Sequence, residues 1–313
     1  MAVRIVLVLS AFTVLYGCYG CGQASAPIEK QERKEGVEQV AEGEHPPIAG
    51  AVGENVRTSS FDLRVLDSFV TDHYYYLTDP SLDEIQDYFS QAGRFVVVNY
   101  SVTNTSPQTI RPAPMARLHV RAGDRVEVYD ESNQIAPPHR FDPELALEDI
   151  PPRQMLVSQF IFDVPKDVEP ELLAVTDGPT IYSSQDVGVV DLRENAPQGP
   201  RPEEIYALQM EYYNMLDYKR AYDLFAQESK ARVSEQTFAS KNERDDQRDP
   251  VTFTKYSFPR VNIEGDHATM QVVRSVSYEK EGQQQGRDTQ EAVLEDEGWR
   301  IVMRDEQYKY YGG

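Results

Sequence analysis

The chain has 313 residues, 40% of them hydrophobic and 27% charged, enough for about two globular domains at roughly 150 residues each. Its 52 acidic residues against 31 Lys and Arg give a formal charge of −21. That balance excludes a basic face for DNA or RNA, because phosphate contacts need clustered Lys and Arg. Both cysteines, Cys18 and Cys21, stand near the N-terminus. The residues beyond them can form no disulfide framework, no thiolate metal cage and no cysteine nucleophile.

Arg4 and the N-terminal amine precede a mostly apolar stretch from Ile5 to Tyr16. It is shorter than the about 20 helical residues that span a hydrocarbon core, and it fits the apolar region of a secretory signal. It ends in Leu15-Tyr16-Gly17-Cys18. A leucine, and then a small residue directly before a cysteine, resembles the lipobox of bacterial lipoproteins. The resemblance implies a signal at residues 1–17, removed on export, and a diacylglyceryl group on Cys18. Tyr16 departs from the pattern, which has a small residue there. Cys21, after Gly20, is a second candidate, with Cys18 where a leucine is expected. A plain signal cut near Ala24 or Ala26 is the alternative. Either route exports the chain, and an acyl anchor holds a protein to a membrane without spanning it.

Residues 18–57 are expected to form the anchor and an acidic tether. Glu29 to Arg57 has seven acidic and four basic residues, four Gly, two Pro and no aromatics. Such a segment buries too little apolar surface to offset the entropy of ordering, so it reads as disordered.

Residues 58–195 carry strand signals. Phe61, Leu63 and Val65 alternate; Val96, Val98, Tyr100 and Val102 share one face of a second run. Ala116, Leu118 and Val120 alternate with Arg117, His119 and Arg121, and Gly123-Asp124 turns the chain into Val126 and Val128. Leu156, Ser158, Phe160, Phe162 and Val164 form another period-two run, and Val187 and Val189 close the set. Alternation with turn signals between runs predicts a β-sandwich. The strings RFVVVNYSVTNTS (94–106), LHVRAGDRVEVYD (118–130) and PPRQMLVSQFIFDVP (151–165) resemble a telokin-like, immunoglobulin-like domain of bacterial surface lipoproteins. The resemblance covers residues 58–195 and implies a binding or spacer module without catalytic residues.

Residues 66–92 break the alternation. Tyr74, Tyr75 and Tyr76 stand beside Asp72, Asp79, Asp83, Glu84 and Asp87. The segment reads either as an aromatic binding loop or as a strand connection pinned to the sandwich. The 23 acidic residues between Thr58 and Pro200, against 10 basic ones, show no EF-hand spacing and read as a solvated surface.

Residues 196–202, in a Pro-rich stretch, read as a linker. Helical spacing follows in Ile205, Leu208, Tyr212, Met215 and Leu216, then in Tyr218, Ala221, Tyr222 and Phe225. Ser234 is placed to cap a third helix with Phe238 inward. Period two then returns: Thr252 to Val261, His267 to Tyr278, Thr289 to Glu295 with Ala292 and Leu294 inward, and Trp299, Ile301 and Met303. Gly265-Asp266, Gly282 to Gly286 and Glu297-Gly298 read as the turns. Helices followed by an antiparallel meander predict an α+β domain over 203–313. The whole is thus mainly β plus α+β: an immunoglobulin-like β-sandwich, then a cone-shaped α+β domain with helices on a curved antiparallel sheet. The string from Tyr212 to Phe238, with Asp217, Tyr218, Ala221, Tyr222, Leu224, Ser229, Ser234 and Phe238 at the matching positions, resembles nuclear transport factor 2-like domains. Its nearest flavour is the small N-terminal domain of methicillin-resistance-type penicillin-binding proteins.

That superfamily includes enzymes with an acid or histidine in the pocket of the cone. Here His267 beside Asp266 reads as a turn residue, and no acid is expected on the Ala268-Met270-Val272 face. Arg274 falls on it and could bind an anion; with Tyr222 and Tyr278 it forms the candidate pocket. No P-loop, nucleophile elbow, zinc-protease or dinucleotide motif occurs, and the five histidines lack ligand spacing. No cofactor, metal or nucleic-acid partner is implied. The sequence therefore predicts a lipid-anchored protein facing outside the cytoplasm. It would have a non-catalytic binding or scaffolding role toward an envelope protein or the cell wall. The alternative is small-molecule binding or catalysis in the C-terminal pocket.

Overall fold

The structure, a computed structural model, describes residues 38–39, 50–57, 61–79, 84–111, 114–130, 149–176, 188–196, 199–248, 251–278 and 282–312. The signal, Cys18 and most of the expected tether lie outside them. The strands in chain order are β1 (Glu38–Gln39), β2 (Gly50–Val52), β3 (Asn55–Arg57), β4 (Asp62–Thr71), β5 (His73–Asp79), β6 (Glu84–Phe89), β7 (Arg94–Thr103), β8 (Met115–Ala122), β9 (Arg125–Asp130), β10 (Met155–Val164), β11 (Glu169–Thr176) and β12 (Gly188–Asn195). Helices α1 (Pro202–Asn214), α2 (Tyr218–Asp223), α3 (Gln227–Arg232) and α4 (Glu235–Arg248) follow. Strands β13 (Val251–Glu264), β14 (His267–Tyr278), β15 (Gly282–Glu295) and β16 (Gly298–Val302) and helix α5 (Asp305–Tyr311) complete the chain. The chain is mostly β with a few helices.

Two sheets face each other across one core. The first has the order β1-β9-β8-β11-β12-β2, the second β16-β15-β14-β13-β10-β7-β4-β3. Val96, Val98, Tyr100 and Val102 of β7 and Leu156, Phe160, Phe162 and Val164 of β10 all point into that core. They meet Ala116, Leu118 and Val120 of β8 and Leu173, Val175 and Val190 of the first sheet. Tyr100 stacks on Phe160 with ring centroids 4.1 Å apart. The alternation read from the sequence is thus the inward face of these strands.

Their other face is buried as well. Phe95 and Val97 of β7 and Met155, Val157 and Ile161 of β10 join a second core with α1, α2 and the C-terminal strands. The two cores share one continuous sheet, because β10 pairs with β13 at Met155 and Tyr256. Residues 37–313 accordingly cluster as one compact unit.

Residues 50–57, expected in the disordered tether, instead form strands. β2 runs parallel to β12 and β3 antiparallel to β4, because Val52 and Val56 bury their side chains in the first core. The strand connection at 66–92 is also more regular than expected. β4 runs on to Thr71, and β5 and β6 form a two-stranded sheet of their own. The surroundings of Tyr74, Tyr75 and Tyr76 lie outside the described residues. The hairpin's return is fixed by Asp163, whose carboxylate accepts the Ser90 hydroxyl and the backbone N–H of Gln91 (2.9 Å) and Ala92 (3.2 Å). Gly93 follows with φ +155°, and a Cβ there would sit 2.7 Å from the Lys166 backbone nitrogen, so only glycine fits.

In the C-terminal part, β14 begins and ends where the alternation placed it, and Ser234 accepts the Thr237 N–H at the start of α4. Residues 282–286 do not turn. They pair with 274–278, which extends β15 back to Gly282 along the whole length of β14. Leu294, expected inward, is 42% exposed, whereas Ala292 on the same strand is buried.

Candidate functional site

Helix α1 starts with Pro202 at its first position, where the missing N–H costs nothing. Glu204 then reaches back to accept the Arg201 N–H at 2.8 Å. Ile205, Leu208, Tyr212 and Met215 face the second core. The polar side chains of α1 meet the sheet at three places.

Two of these places join the helix to β4 and β7. Glu204 accepts Arg64 Nη1 at 2.9 Å and the Ser101 hydroxyl at 3.2 Å, and all three residues are buried. About two helical turns further on, Tyr212 donates to Asp67 and accepts from Asn99 at 3.3 Å, and Asn99 in turn accepts from Gln159 at 2.8 Å. A β-bulge aims these groups. β4 pairs Val65 with Tyr100 and then Asp67 with Asn99, so Leu66 is an extra residue. It shifts the parity of β4 and turns Asp67 and Phe69 toward the helix. Desolvation raises the Asp67 carboxyl above its ordinary range, against the Tyr212 hydrogen bond.

The third place is the candidate site. Arg274 of β14 donates through Nη1 to the Tyr206 hydroxyl at 2.7 Å and to Asp288 Oδ2 at 2.5 Å. Arg304, before α5, donates through Nη1 to Asp288 Oδ1 at 2.7 Å. Burial works against the Asp288 carboxylate, but the hydrogen bonds and charges of Arg304 and Arg274 together outweigh it and hold its pKa low. Exposure grades outward: the side chain of Arg274 is 19% accessible, Asp288 24% and Arg304 35%. Inward, Tyr256 lies opposite Arg274 on β13, fully buried, and meets Tyr206 edge-on. Three buried polar atoms here have no hydrogen-bond partner: Tyr256 Oη, Arg274 Nε and Arg304 Nε.

Glu211, near Tyr256 and completely buried, accepts from Asn214 at 2.8 Å. Burial pushes its carboxyl up to about 7, against that hydrogen bond. Asn214 is itself committed to the backbone: its amide donates to the Phe253 carbonyl and accepts the Phe253 N–H, both at 2.8 Å.

Of the expected pocket residues, Arg274 sits in this cluster and the two tyrosines do not. Tyr222 packs on Phe225 and Phe238 and donates to the Val233 carbonyl at 2.7 Å, closing α3. Phe238, Tyr213 and Phe253 stand in a row of rings between it and Arg274. Tyr278 ends β14, opposite Val251 and Gly282. The sequence reading missed Asp288, because the Gln-rich run before it hid the start of β15. Its register opposite Val272 places it on the face where no acid was expected. His267 stays at its turn, 3.6 Å from Asp266, both exposed. Among the described residues no group of three His, Cys, Asp or Glu is placed to hold a metal ion, and no helix is long and apolar enough to cross a membrane.

No family model matches the chain, and no curated protein does. Among solved structures, the chain is similar to an uncharacterised β-sandwich protein from Clostridium difficile. Identity is 15%, with 49% of this chain and 99% of that chain covered, and the TM-score is 0.31.

Proposed function

We propose that this protein is an exported, lipid-anchored binding or scaffolding protein of the bacterial cell envelope, with no chemistry of its own. An immunoglobulin-like sandwich and a nuclear transport factor 2-like domain would meet on the common sheet and face outward from the membrane, toward an envelope protein or the cell wall. The observation that carries the non-catalytic reading is the pairing of Arg274 and Arg304 on Asp288. The two guanidiniums hold the one carboxylate of the site in its charged form, which makes it a poor group for proton transfer near neutral pH. Glu211, whose carboxyl burial pushes up to about 7, is buried on the inner side of α1 against Asn214. The anchoring half rests on Leu15-Tyr16-Gly17-Cys18.

A second reading, small-molecule binding in the C-terminal part, is favoured by the unpartnered Tyr256 hydroxyl, since buried polar groups in native proteins have partners. The test of the leading reading is the intact mass of the full chain from the membrane fraction of a lipoprotein-competent bacterium, beside a Cys18→Ala control. A diacylglyceryl mass on residue 18, absent from the control, is expected. An unmodified chain cut past Cys21 would refute the anchor.

A further inference from the structure

We propose that the β5–β6 ribbon is a docking arm for an extended, Lys- or Arg-bearing segment of another protein, taken up by the face on which Tyr74 pairs with Tyr88 and by the acids that frame it. The inference deepens the binding reading above by naming the surface and the chemistry of the partner, and it rests on that reading.

The ribbon is separate in its pairing. β5 and β6 pair with each other and with neither large sheet. A lone two-stranded ribbon is marginally stable in water, and this one is held at its root. The Ser90 N–H donates to the Asp72 carbonyl at 3.2 Å, the Thr71 hydroxyl donates to the His73 carbonyl at 2.8 Å, and Asp163 gathers residues 90–92. Apolar side chains at that root lie open to solvent. Phe89 is 67% exposed, the most of any large hydrophobic side chain among the described residues, and Val70 is 39% exposed.

Register sorts the ribbon into two faces. Tyr74 pairs with Tyr88, and Tyr76 follows on the same face; Phe89, Tyr75 and Leu77 fall on the other. A ribbon laid on its own protein covers one face. Rings written into both faces supply a second one for a partner, and tyrosine gives contact area at low entropy cost.

Charge names that partner. Residues 72–89 hold five acidic residues and no Lys or Arg. Lys166 answers Asp72 at 3.6 Å; the other four stand further along. Asp79 and Glu84 pair directly across the two strands. Like charges so placed destabilise a ribbon, and a bound cation removes that cost. Aromatic rings attract Lys and Arg through their electron-rich faces. The same charge turns other occupants away: at −21 a second copy of this chain, an anionic lipid surface or a nucleic acid is repelled.

The experiment is fluorescence anisotropy with the full chain in detergent at physiological ionic strength. The probes are short fluorescein-labelled peptides of alternating Arg and Leu, or of alternating Glu and Leu. Saturable binding of the first and none of the second is expected. Tyr74→Ser with Tyr88→Ser weakens binding about tenfold. Tyr74→Phe with Tyr88→Phe keeps the rings and the wild-type affinity. Asp79→Asn with Glu84→Gln also weakens binding, while proteolysis within residues 72–93 slows because the opposed charges are gone; that loss cannot come from melting of the ribbon. Glu228→Gln with Glu243→Gln removes the same charge from α3 and α4 and leaves binding unchanged.

Absence of saturable binding of the Arg–Leu peptide would overturn the proposal. So would an equal loss in the α3–α4 variant, which means bulk charge only, or full affinity in the serine variant, which places binding elsewhere. Displacement of the peptide by calcium chloride at equal ionic strength, or by chitotetraose, would give the surface to a metal ion or a glycan and overturn it too. A lipidated chain that binds no peptide sinks this inference alone; an unlipidated chain that binds it sinks the anchor alone.

Discussion

Arg64 on β4 and Glu204 on α1, 140 residues apart in the chain, form a buried 2.9 Å ion pair, their side chains 9% and 7% accessible. Glu204 also accepts the Ser101 hydroxyl and the Arg201 N–H, so its charge is matched on three sides. Removing one partner strands the other charge in the interior, at a cost of about 3–5 kcal/mol. Arg64→Ala and Glu204→Ala should each lower stability by that order in urea unfolding. The double variant Arg64→Met with Glu204→Leu should recover most of the loss, because well-packed apolar side chains replace a buried pair at little cost.

Glu211 sets a pH dependence. Its folded pKa, about 7, lies above the ordinary 4.5. Below the ordinary value both states hold the proton and no penalty arises. Between the two values the unfolded chain releases a proton that the folded protein keeps, so stability falls as pH rises, by about 1.4 kcal/mol per unit at most. Above about 7 the loss levels off. Chemical denaturation from pH 4 to 8 should show this slope in the wild type and a flatter profile in Glu211→Gln.

The hairpin of β5 and β6 depends on its root. Asp163→Ala removes the acceptor for Ser90, Gln91 and Ala92, at about 1–3 kcal/mol for donors left unmatched. Gly93→Ala forces a Cβ against Lys166. Both should speed limited proteolysis within residues 72–93, and the global unfolding midpoint should move less than it does in Glu204→Ala.

Tyr222 acts in packing. Its hydroxyl serves the Val233 carbonyl, so Tyr222→Phe should cost about 1 kcal/mol in stability, read as a lower midpoint in urea unfolding.

Much of the fold was legible because one-sided burial writes period two into a strand. The inward sets of β7 and β10 were readable for that reason, and α1 showed its apolar face at helical spacing. The common sheet was not legible. Phe95, Val97, Asn99 and Ser101 alternate just as regularly as their neighbours, but sequence alone does not tell a wetted face from one covered by a helix more than 100 residues later. Residues 50–57 looked like tether because Val52 and Val56 are too few to signal strands; pairing with β12 and β4 orders them. At the site, Arg274 was found by parity along its own strand. Asp288, Arg304 and Tyr256 come from three other segments, and only the pairing register brings them to it.

Helix α1 and the common sheet bind both parts into one cooperative body. The chain has a single tryptophan, Trp299, which is 8% exposed in the second core and reports on the C-terminal part alone. Far-UV circular dichroism reports chiefly on the strands of the whole chain. Thermal unfolding followed by both signals should give coincident transitions, and Glu204→Ala should shift both to the same lower temperature. Two separated transitions, with the Trp299 signal unmoved by that substitution, would contradict the account.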